Sequence, residues 1–202
     1  MVVTLAIGVM ILLMPYASAQ TATIPEGYSQ DAPIGEVQTY NILKTNGKAE
    51  FVFYDPVTWE LVSSTNVGFE VGGKIEMTIL GFVGNIPYVD FTVYLKDGTK
   101  NASFANYSMA DIAFILILNV GSVVPGFLSK NNWTEVVDGI TAVANQPAGE
   151  AYSMNGTFTS KEDRKSITLD YKQNPNNGNQ NTTLTYEKKT GLLLSADLAF
   201  GN

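Results

Sequence analysis

The chain has 202 residues and a formal net charge of −7, and it contains neither histidine nor cysteine. The lack of both residue types excludes serine–histidine triads, cysteine nucleophiles, histidine bases and the common zinc sites. An acidic surface repels phosphate backbones, so we expect no nucleic-acid partner, and we also expect no enzyme activity, cofactor or metal.

The first nineteen residues have the features of an export signal. An apolar run from Val2 to Met14 closes on Ala17-Ser18-Ala19, which resembles a signal-peptidase site. Pro15 interrupts the run before it reaches the about 20 apolar residues that a membrane span needs. We therefore predict a signal peptide over 1–19 and a secreted or cell-surface protein, which carries no membrane anchor of its own after cleavage.

The rest of the chain predicts a mainly β fold. Residues 20–35 contain two prolines and two glycines without periodicity, which is typical of a flexible arm or linker. From residue 36 onward, short alternating blocks separated by turn dipeptides predict antiparallel strands. We expect a single β-rich domain over 36–202, built as a curved antiparallel sheet or incomplete barrel with one covering helix at about 133–145.

Two turns in the first half are expected to close hairpins, because Asn46-Gly47 and Gly72-Gly73 suit the positive φ angles of two-residue loops. A further turn, Asp97-Gly98, ends the last strand of this half. The predicted strands are Val37–Thr45, Lys48–Tyr54, Trp59–Ser63, Val67–Val71, Lys74–Phe82 and Tyr88–Lys96. In the last of these, the apolar residues Val89, Phe91, Val93 and Leu95 are expected to share one face.

The longest apolar block outside the signal is Ala110–Leu118. Such a run predicts either a segment buried on both faces or the wall of an apolar cavity. The next stretch, Val120–Phe127, contains two glycines and a proline, which predicts an irregular cover or lid. On the cavity interpretation, the candidate ligand-binding residues are Phe114, Ile115, Leu116, Ile117, Leu118 and Phe127.

Helical spacing of apolar residues predicts one helix over Trp133–Asn145, and Asn132 with Glu135 resembles a capping pair at its start. Alternation then returns to the end of the chain, which predicts a four-stranded meander with one buried and one solvated face. Its expected strands are Ala151–Thr159, Lys165–Gln173, Thr182–Glu187 and Gly191–Phe200. In the last of these, the even-numbered residues from Leu192 to Phe200 are expected to share the buried face.

Two motifs need interpretation. The segment Gly68–Lys74 matches the start of a phosphate-binding loop, but Ile75 stands where a magnesium-holding hydroxyl is needed and a strand pattern follows, so we predict a simple turn. Five N-x-[ST] sequons make glycosylation candidates, most of them expected in or beside loops. They are Asn101, Asn106, Asn132, Asn155 and Asn181.

The alternating hairpins, the helix start Asn132-Trp-Thr-Glu135 and the late turn Tyr186-Glu-Lys-Lys-Thr-Gly-Leu-Leu-Leu194 resemble secreted β-rich surface proteins of archaea, particularly of Asgard lineages. That family brings no established catalytic residues, and the resemblance implies N-glycosylation. The layout, a curved sheet with a helix over its mouth, is similar to that of lipocalin-like proteins and lipoprotein carriers.

Two functions from different classes follow. The first is a non-catalytic binding module whose concave apolar face holds a lipid or another hydrophobic small molecule. The alternative is a structural cell-surface or filament subunit, in which the arm 20–35 adds as a strand to the open sheet edge of a partner surface protein. Paired carboxylates leave an enzyme as a distant third.

Overall fold

The computed structural model describes residues 23–45, 48–54, 61–116, 125–144, 155–177 and 179–199; the predicted signal peptide lies outside them. The chain forms two compact units. Unit 1 contains Ile34–Leu116, and unit 2 combines Ile24–Pro33 with the chain from Ile117 onward. The fold is mainly β, as predicted, with one open four-stranded antiparallel sheet in each unit. The predicted domain limits stay a prediction.

Unit 1 contains a four-stranded sheet, a separate two-stranded hairpin and a short helix. The elements are β1 (Val37–Asn41), β2 (Lys48–Tyr54), β3 (Leu61–Gly68), β4 (Lys74–Val83), β5 (Ile86–Tyr94), β6 (Lys100–Ser108) and α1 (Met109–Ile115). The sheet has the order β1-β4-β5-β6, and the hairpin pairs β2 with β3.

Alternation on β4 and β5 builds the core of unit 1. Met77 and Ile79 on β4, and Val89, Phe91 and Val93 on β5, are fully buried. These side chains share one face because successive strand residues point to opposite sides of a sheet. The buried face predicted for the segment 88–96 is therefore confirmed through residue 93.

Both predicted hairpins of this half are wrong in their pairing. β1 pairs with β4 rather than with β2, and β3 pairs with β2 rather than with β4. Gly72-Gly73 does form a tight turn, in which the Gly73 N–H donates to the Glu70 carbonyl at 2.9 Å, whereas Asn46-Gly47 lies outside the described residues. β4 is a central strand and needs a neighbour on each edge. β5 supplies one through a local hairpin, and β1 supplies the other from more than thirty positions away.

Two elements of unit 1 were not predicted. β6 (Lys100–Ser108) is rich in Asn, Ala and Ser and gives little strand signal, yet it pairs along β5. The apolar block 110–118, expected as a buried segment or a cavity wall, is helical over its first part, α1, which buries Ile112 and Ala113 completely. An uninterrupted apolar run cannot distinguish a buried helix from a buried strand.

Unit 2 contains the predicted meander and the predicted helix. The elements are α2 (Trp133–Ala144), β7 (Gly156–Glu162), β8 (Ser166–Gln173), a 3-10 turn (Pro175–Asn177), β9 (Asn181–Glu187) and β10 (Leu193–Ala199). The sheet has the order β10-β9-β8-β7, with every neighbouring pair antiparallel.

The predicted capping pair at the start of α2 is confirmed. The Glu135 N–H donates to Asn132 Oδ1 at 3.4 Å, and Asn132 Nδ2 donates back to Glu135 Oε2 at 3.2 Å. The first of these bonds satisfies the Glu135 N–H, a backbone donor that has no partner inside the helix. The apolar side of α2 buries Trp133, Ile140 and Ala144.

The core of unit 2 lies on one face of its sheet. Its central strands bury Ile167, Leu169, Tyr171, Leu184 and Tyr186. The ring centroid of Trp133 on α2 lies 5.6 Å from that of Tyr186, and the Trp133 indole donates to the Lys188 carbonyl at 3.2 Å. An aromatic pair of this kind anchors the helix to the segment that ends β9.

A register shift in β10 corrects one predicted face. Even-numbered residues from Leu192 to Phe200 were expected to share the buried side, but the pairing with β9 shifts between Leu193 and Ser195. Leu193 is consequently buried, while Leu194 is 52% exposed. A bulge adds one residue to a strand and reverses the alternation beyond it, and it leaves no simple mark in the sequence.

Candidate functional site

The predicted ligand-binding residues are divided between the two units. Phe114 and Ile115 end α1, and Leu116 follows it in unit 1, half-buried. Ile117 and Leu118 lie outside the described residues. Phe127 belongs to unit 2 and is buried. The assignment of these six residues to one site stays a prediction, and each is considered only in its own unit.

Phe127 lies in a firmly anchored segment of unit 2, Pro125–Ser129, all of which is buried. The Phe127 carbonyl accepts from the Leu193 N–H at 2.9 Å, and the Ser129 N–H donates to the Gly191 carbonyl at 2.9 Å. The Tyr186 hydroxyl donates to the Gly126 carbonyl at 2.7 Å. These bonds make Pro125–Ser129 a wall that is fixed to the start of β10.

The outer side of this wall borders a cleft of about 330 Å³ in unit 2, which we call the α2 cleft. Three pieces of chain form it: the segment before β1, the stretch that contains the wall, and the first half of α2. The residues that line it are Tyr28, Pro125, Leu128, Ser129, Lys130, Glu135, Val136 and Gly139.

One side of the α2 cleft comes from the segment that was predicted as a flexible arm. The Gly27 carbonyl accepts from the Asn131 N–H at 2.9 Å, and the Lys130 side chain runs along Gly27 at van der Waals distance from where a Cβ would stand. Ser29 and Ala32 are buried. This packing holds the half-buried Tyr28 at the cleft, where burial raises the pKa of its phenol, so the hydroxyl stays protonated.

The helical side of the α2 cleft presents Glu135, Val136 and Gly139, which lie on neighbouring turns of α2. Gly139 contributes no side chain, so the cleft is open to the helix backbone at that point. A glycine inside a helix costs about 1 kcal/mol relative to alanine. The helix therefore accepts a local loss of stability at the residue that borders the cleft.

The chemistry of the α2 cleft suits a small amphiphilic molecule. The rings and aliphatic groups of Tyr28, Pro125, Leu128 and Val136 can bury an apolar body, while the exposed Lys130 lies among them with its ammonium group. A cleft of about 330 Å³ is at the lower end of the range for ligand pockets. None of its lining residues was among the predicted ligand-binding residues, although Phe127 lies between two of them in the chain.

A half-buried carboxylate is the main electrostatic feature of unit 1. Asp111 lies in the first turn of α1, where burial raises the pKa of its carboxyl to about 6, against a smaller lowering by a hydrogen bond from the Ser108 side chain. The Asp111 charge contributes to a raised pKa of the Tyr107 phenol, for which burial is the larger cause. Among the described residues no group of three or more acidic side chains lies close enough to hold a metal ion.

The raised pKa of Asp111 predicts an unusual pH dependence of stability. Because the folded-state pKa, about 6, is above the ordinary 3.8, the folded protein binds a proton that the unfolded chain does not, and stability should increase as pH falls from 8 to 5. Asp111→Asn should remove this slope and stabilise the protein at pH 8 by about 1 kcal/mol, allowing for solvent screening of a partly exposed group. Urea denaturation at several pH values measures both effects.

Asp97→Asn is the matched control for that experiment. Asp97 is fully exposed, and hydrogen bonds from Thr99 lower its pKa from the ordinary 3.8, so its carboxylate keeps its charge between pH 5 and 8. This control should leave the slope between pH 5 and 8 unchanged. A wild-type protein that loses stability as pH falls from 8 to 5 would contradict the assignment to Asp111.

Two of the predicted glycosylation sites lie in a strand instead of a loop. Asn101 and Asn106 belong to β6. Asn101 Nδ2 donates to the Gly68 carbonyl at 2.7 Å, and the backbone N–H of Asn106, at φ 59°, donates to Asp90 Oδ1 at 2.9 Å. The amide that a glycan would modify is therefore already engaged at Asn101.

The other three sequons differ in their surroundings. Asn132 uses both Oδ1 and Nδ2 in its hydrogen bonds with Glu135 at the start of α2. Asn155 Oδ1 accepts from Asn174 Nδ2 at 3.3 Å. Asn181 begins β9 and is exposed, with no side-chain hydrogen bond to another described residue. Glycosylation stays a prediction at all five sites, and among these three only the Asn181 side chain makes no hydrogen bond to another described residue.

The segment Gly68–Lys74, which matches the start of a phosphate-binding loop, is a turn that leads into a strand. Lys74 begins β4, pairs with Glu76 at 2.5 Å, and lies 4.8 Å from the ring centroid of Tyr94. This contact with Glu76 is the main reason for the raised pKa of Lys74. The predicted turn is confirmed, and the lysine is used within the strand surface rather than directed at the turn.

Comparisons with known proteins leave the geometry as the basis for a functional argument. Within the part of the chain that the structure describes, none of the helices has the length and apolar character needed to cross a membrane. A scan against protein-family models, a search of curated proteins and a search of solved structures each gave no match.

Proposed function

We propose that this protein is an exported, non-catalytic binding module that holds a small amphiphilic ligand in the α2 cleft. The observation that carries the proposal is the cleft itself, about 330 Å³ in volume, with a largely apolar lining that also contains one lysine and one glutamate. The predicted export signal and the lack of histidine and cysteine support a binding role outside the cytoplasm.

The size and lining of the cleft define the class of ligand. Its apolar residues favour a hydrocarbon or aromatic body, and Lys130 and Glu135, which carry opposite charges, favour a polar group at one end of the ligand. The volume suits a compact molecule with one such body, smaller than a membrane lipid with two acyl chains. The ligand class therefore narrows from any hydrophobic molecule to a small amphiphile.

Filling the cleft provides the test. Gly139→Leu places a side chain at the bare position on α2 and should weaken binding of 8-anilinonaphthalene-1-sulfonate at least about tenfold, because the apolar body loses its space. The same change should leave the melting temperature equal or higher, since leucine is a better helix former than glycine. Fluorescence titration and circular dichroism melting measure the two effects.

Thr141→Leu is the matched control, because Thr141 is exposed and lies two positions further along α2, on the side away from Gly139. This variant adds the same side chain without a change of charge and should retain wild-type affinity for the dye. Equal affinity of the Gly139→Leu variant and wild type would refute binding in the α2 cleft.

The alternative function, a structural subunit that donates its arm 20–35, has less support. Within that arm, Ser29 and Ala32 are buried, and the Gly27 carbonyl accepts a hydrogen bond from the Asn131 N–H of unit 2. Donation of this segment to a neighbour would break those contacts before it formed new ones. We therefore give the binding module first place and keep arm donation as the second proposal.

A further inference from the structure

The α2 cleft contains two side chains of opposite charge that come from different parts of the chain. Lys130 directly follows the wall Pro125–Ser129, and Glu135 lies in the first turn of α2. Both line the cleft and both are exposed. The ion pairs between described residues include neither of them, so their ammonium and carboxylate groups are too far apart to neutralise each other.

Contacts within unit 2 hold both side chains in place. The Cδ and Cε atoms of Lys130 lie 3.4 and 3.7 Å from the point where a Cβ of Gly27 would stand, so the lysine stem runs along the backbone there. Glu135 Oε2 accepts from Asn132 Nδ2 at 3.2 Å, and Glu135 Oε1 makes no hydrogen bond to another described residue. Side chains that are already ordered lose little conformational freedom when they bind a ligand.

This pair of charges determines which head group the cleft favours. An anionic ligand would be attracted by Lys130 but repelled by Glu135 and by the net charge of −7 on the chain. A cationic ligand would be attracted by Glu135 but repelled by Lys130. A ligand that carries one positive and one negative group can pair with both side chains, because these do not pair with each other.

We propose that the α2 cleft binds a free α-amino acid with an apolar or aromatic side chain, whose carboxylate pairs with Lys130 and whose ammonium group pairs with Glu135. An α-amino acid carries both charges on one carbon, next to its side chain, which matches a cleft that combines two charges with Pro125, Leu128 and Val136. A volume of about 330 Å³ suits a molecule with one such side chain. This inference rests on the proposed function and names its ligand class.

Three compounds with the same aromatic body test the head group. At neutral pH, L-phenylalanine carries both charges, 2-phenylethylamine carries only the positive one and 3-phenylpropionate carries only the negative one. Isothermal titration calorimetry of the full chain should show that L-phenylalanine binds about fivefold more tightly than either analogue, because it alone pairs with both side chains. Equal affinities for the three compounds would overturn the inference.

Removal of each charge should change a different preference. Lys130→Gln should weaken the binding of L-phenylalanine and 3-phenylpropionate about three- to fivefold and leave that of 2-phenylethylamine equal or tighter. Glu135→Gln should weaken the binding of L-phenylalanine and 2-phenylethylamine by a similar factor and leave that of 3-phenylpropionate equal or tighter. Glutamine at position 135 keeps an oxygen that can accept from Asn132, so the melting temperature should stay near that of the wild type.

Lys161→Gln and Asp138→Asn are the matched controls for these two variants. Lys161 is exposed on β7, and Asp138 is exposed on α2 without lining the cleft, so each control removes the same charge elsewhere in unit 2. Both should change the affinity for L-phenylalanine by less than about twofold. Effects as large as those at Lys130 and Glu135 would mean that net charge, rather than contact in the cleft, sets the affinity, and they would overturn the inference.

The Gly139→Leu variant distinguishes a failure of this inference from a failure of the proposed function. Weaker binding of 8-anilinonaphthalene-1-sulfonate by this variant, together with no preference for L-phenylalanine over its analogues, would show that the cleft binds ligands without selecting amino acids. Dye binding that the variant leaves unchanged would overturn the proposed function, and this inference with it.

Discussion

Replacement of Tyr186 by alanine should lower the free energy of unfolding by about 3–5 kcal/mol, which is the usual cost of removing a large buried ring. Tyr186 is fully buried on β9 and packs against Trp133, with 5.6 Å between the ring centroids. Its hydroxyl donates to the Gly126 carbonyl at 2.7 Å. The substitution therefore removes both the packing below α2 and a bond that holds the wall of the α2 cleft.

Tyr186→Phe separates these two contributions. The phenylalanine variant keeps the ring but leaves the buried Gly126 carbonyl without its donor, which should cost about 1–3 kcal/mol. Urea denaturation followed by circular dichroism gives both values. Equal losses for phenylalanine and alanine would mean that the hydroxyl bond, rather than the packing, accounts for the effect, and a loss below about 1 kcal/mol for alanine would contradict the described core.

Gly191→Ala should strongly destabilise the protein, although it only replaces a hydrogen atom by a methyl group in the turn before β10. Gly191 has φ +77°, and a Cβ built there would lie 2.3 Å from the Ser129 carbonyl oxygen, which is far too close. That carbonyl belongs to the backbone segment whose N–H donates to the Gly191 carbonyl at 2.9 Å, so neither partner can move without breaking the pairing. We expect a loss of at least about 3 kcal/mol.

Gly35→Ala is the matched control for the backbone angle. Gly35 has φ +79°, nearly the same as Gly191, but a Cβ there would meet nothing within 4 Å. Its substitution should cost only the strain of a left-handed residue, about 1–2 kcal/mol. The difference in denaturation midpoint between the two variants measures the close approach itself. Equal losses would show that the wall does not lie against the turn as described.

The α2 cleft illustrates what sequence patterns miss. Its residues come from a segment before β1, from the wall next to Phe127 and from α2, and the first of these pieces is about a hundred positions away from the other two in the chain. The apolar spacing on α2 shows which face is buried and gives no information about what lies beside the other face. Gly139 was the one local signal, since a glycine inside a strong helical pattern needs a reason outside the helix.

The amino-acid sequence by itself determined the mainly β class, the helix from Trp133 with its Asn132 cap, and the four strands of the final meander. Those features depend on side-chain periodicity, capping and turn chemistry, which act over a few neighbouring residues. Only the tertiary structure decided that β1 pairs with β4, that β10 contains a bulge, and that the segment around Tyr28 borders α2. Such pairings depend on which distant apolar face or backbone edge lacks a partner, and local sequence does not encode that choice.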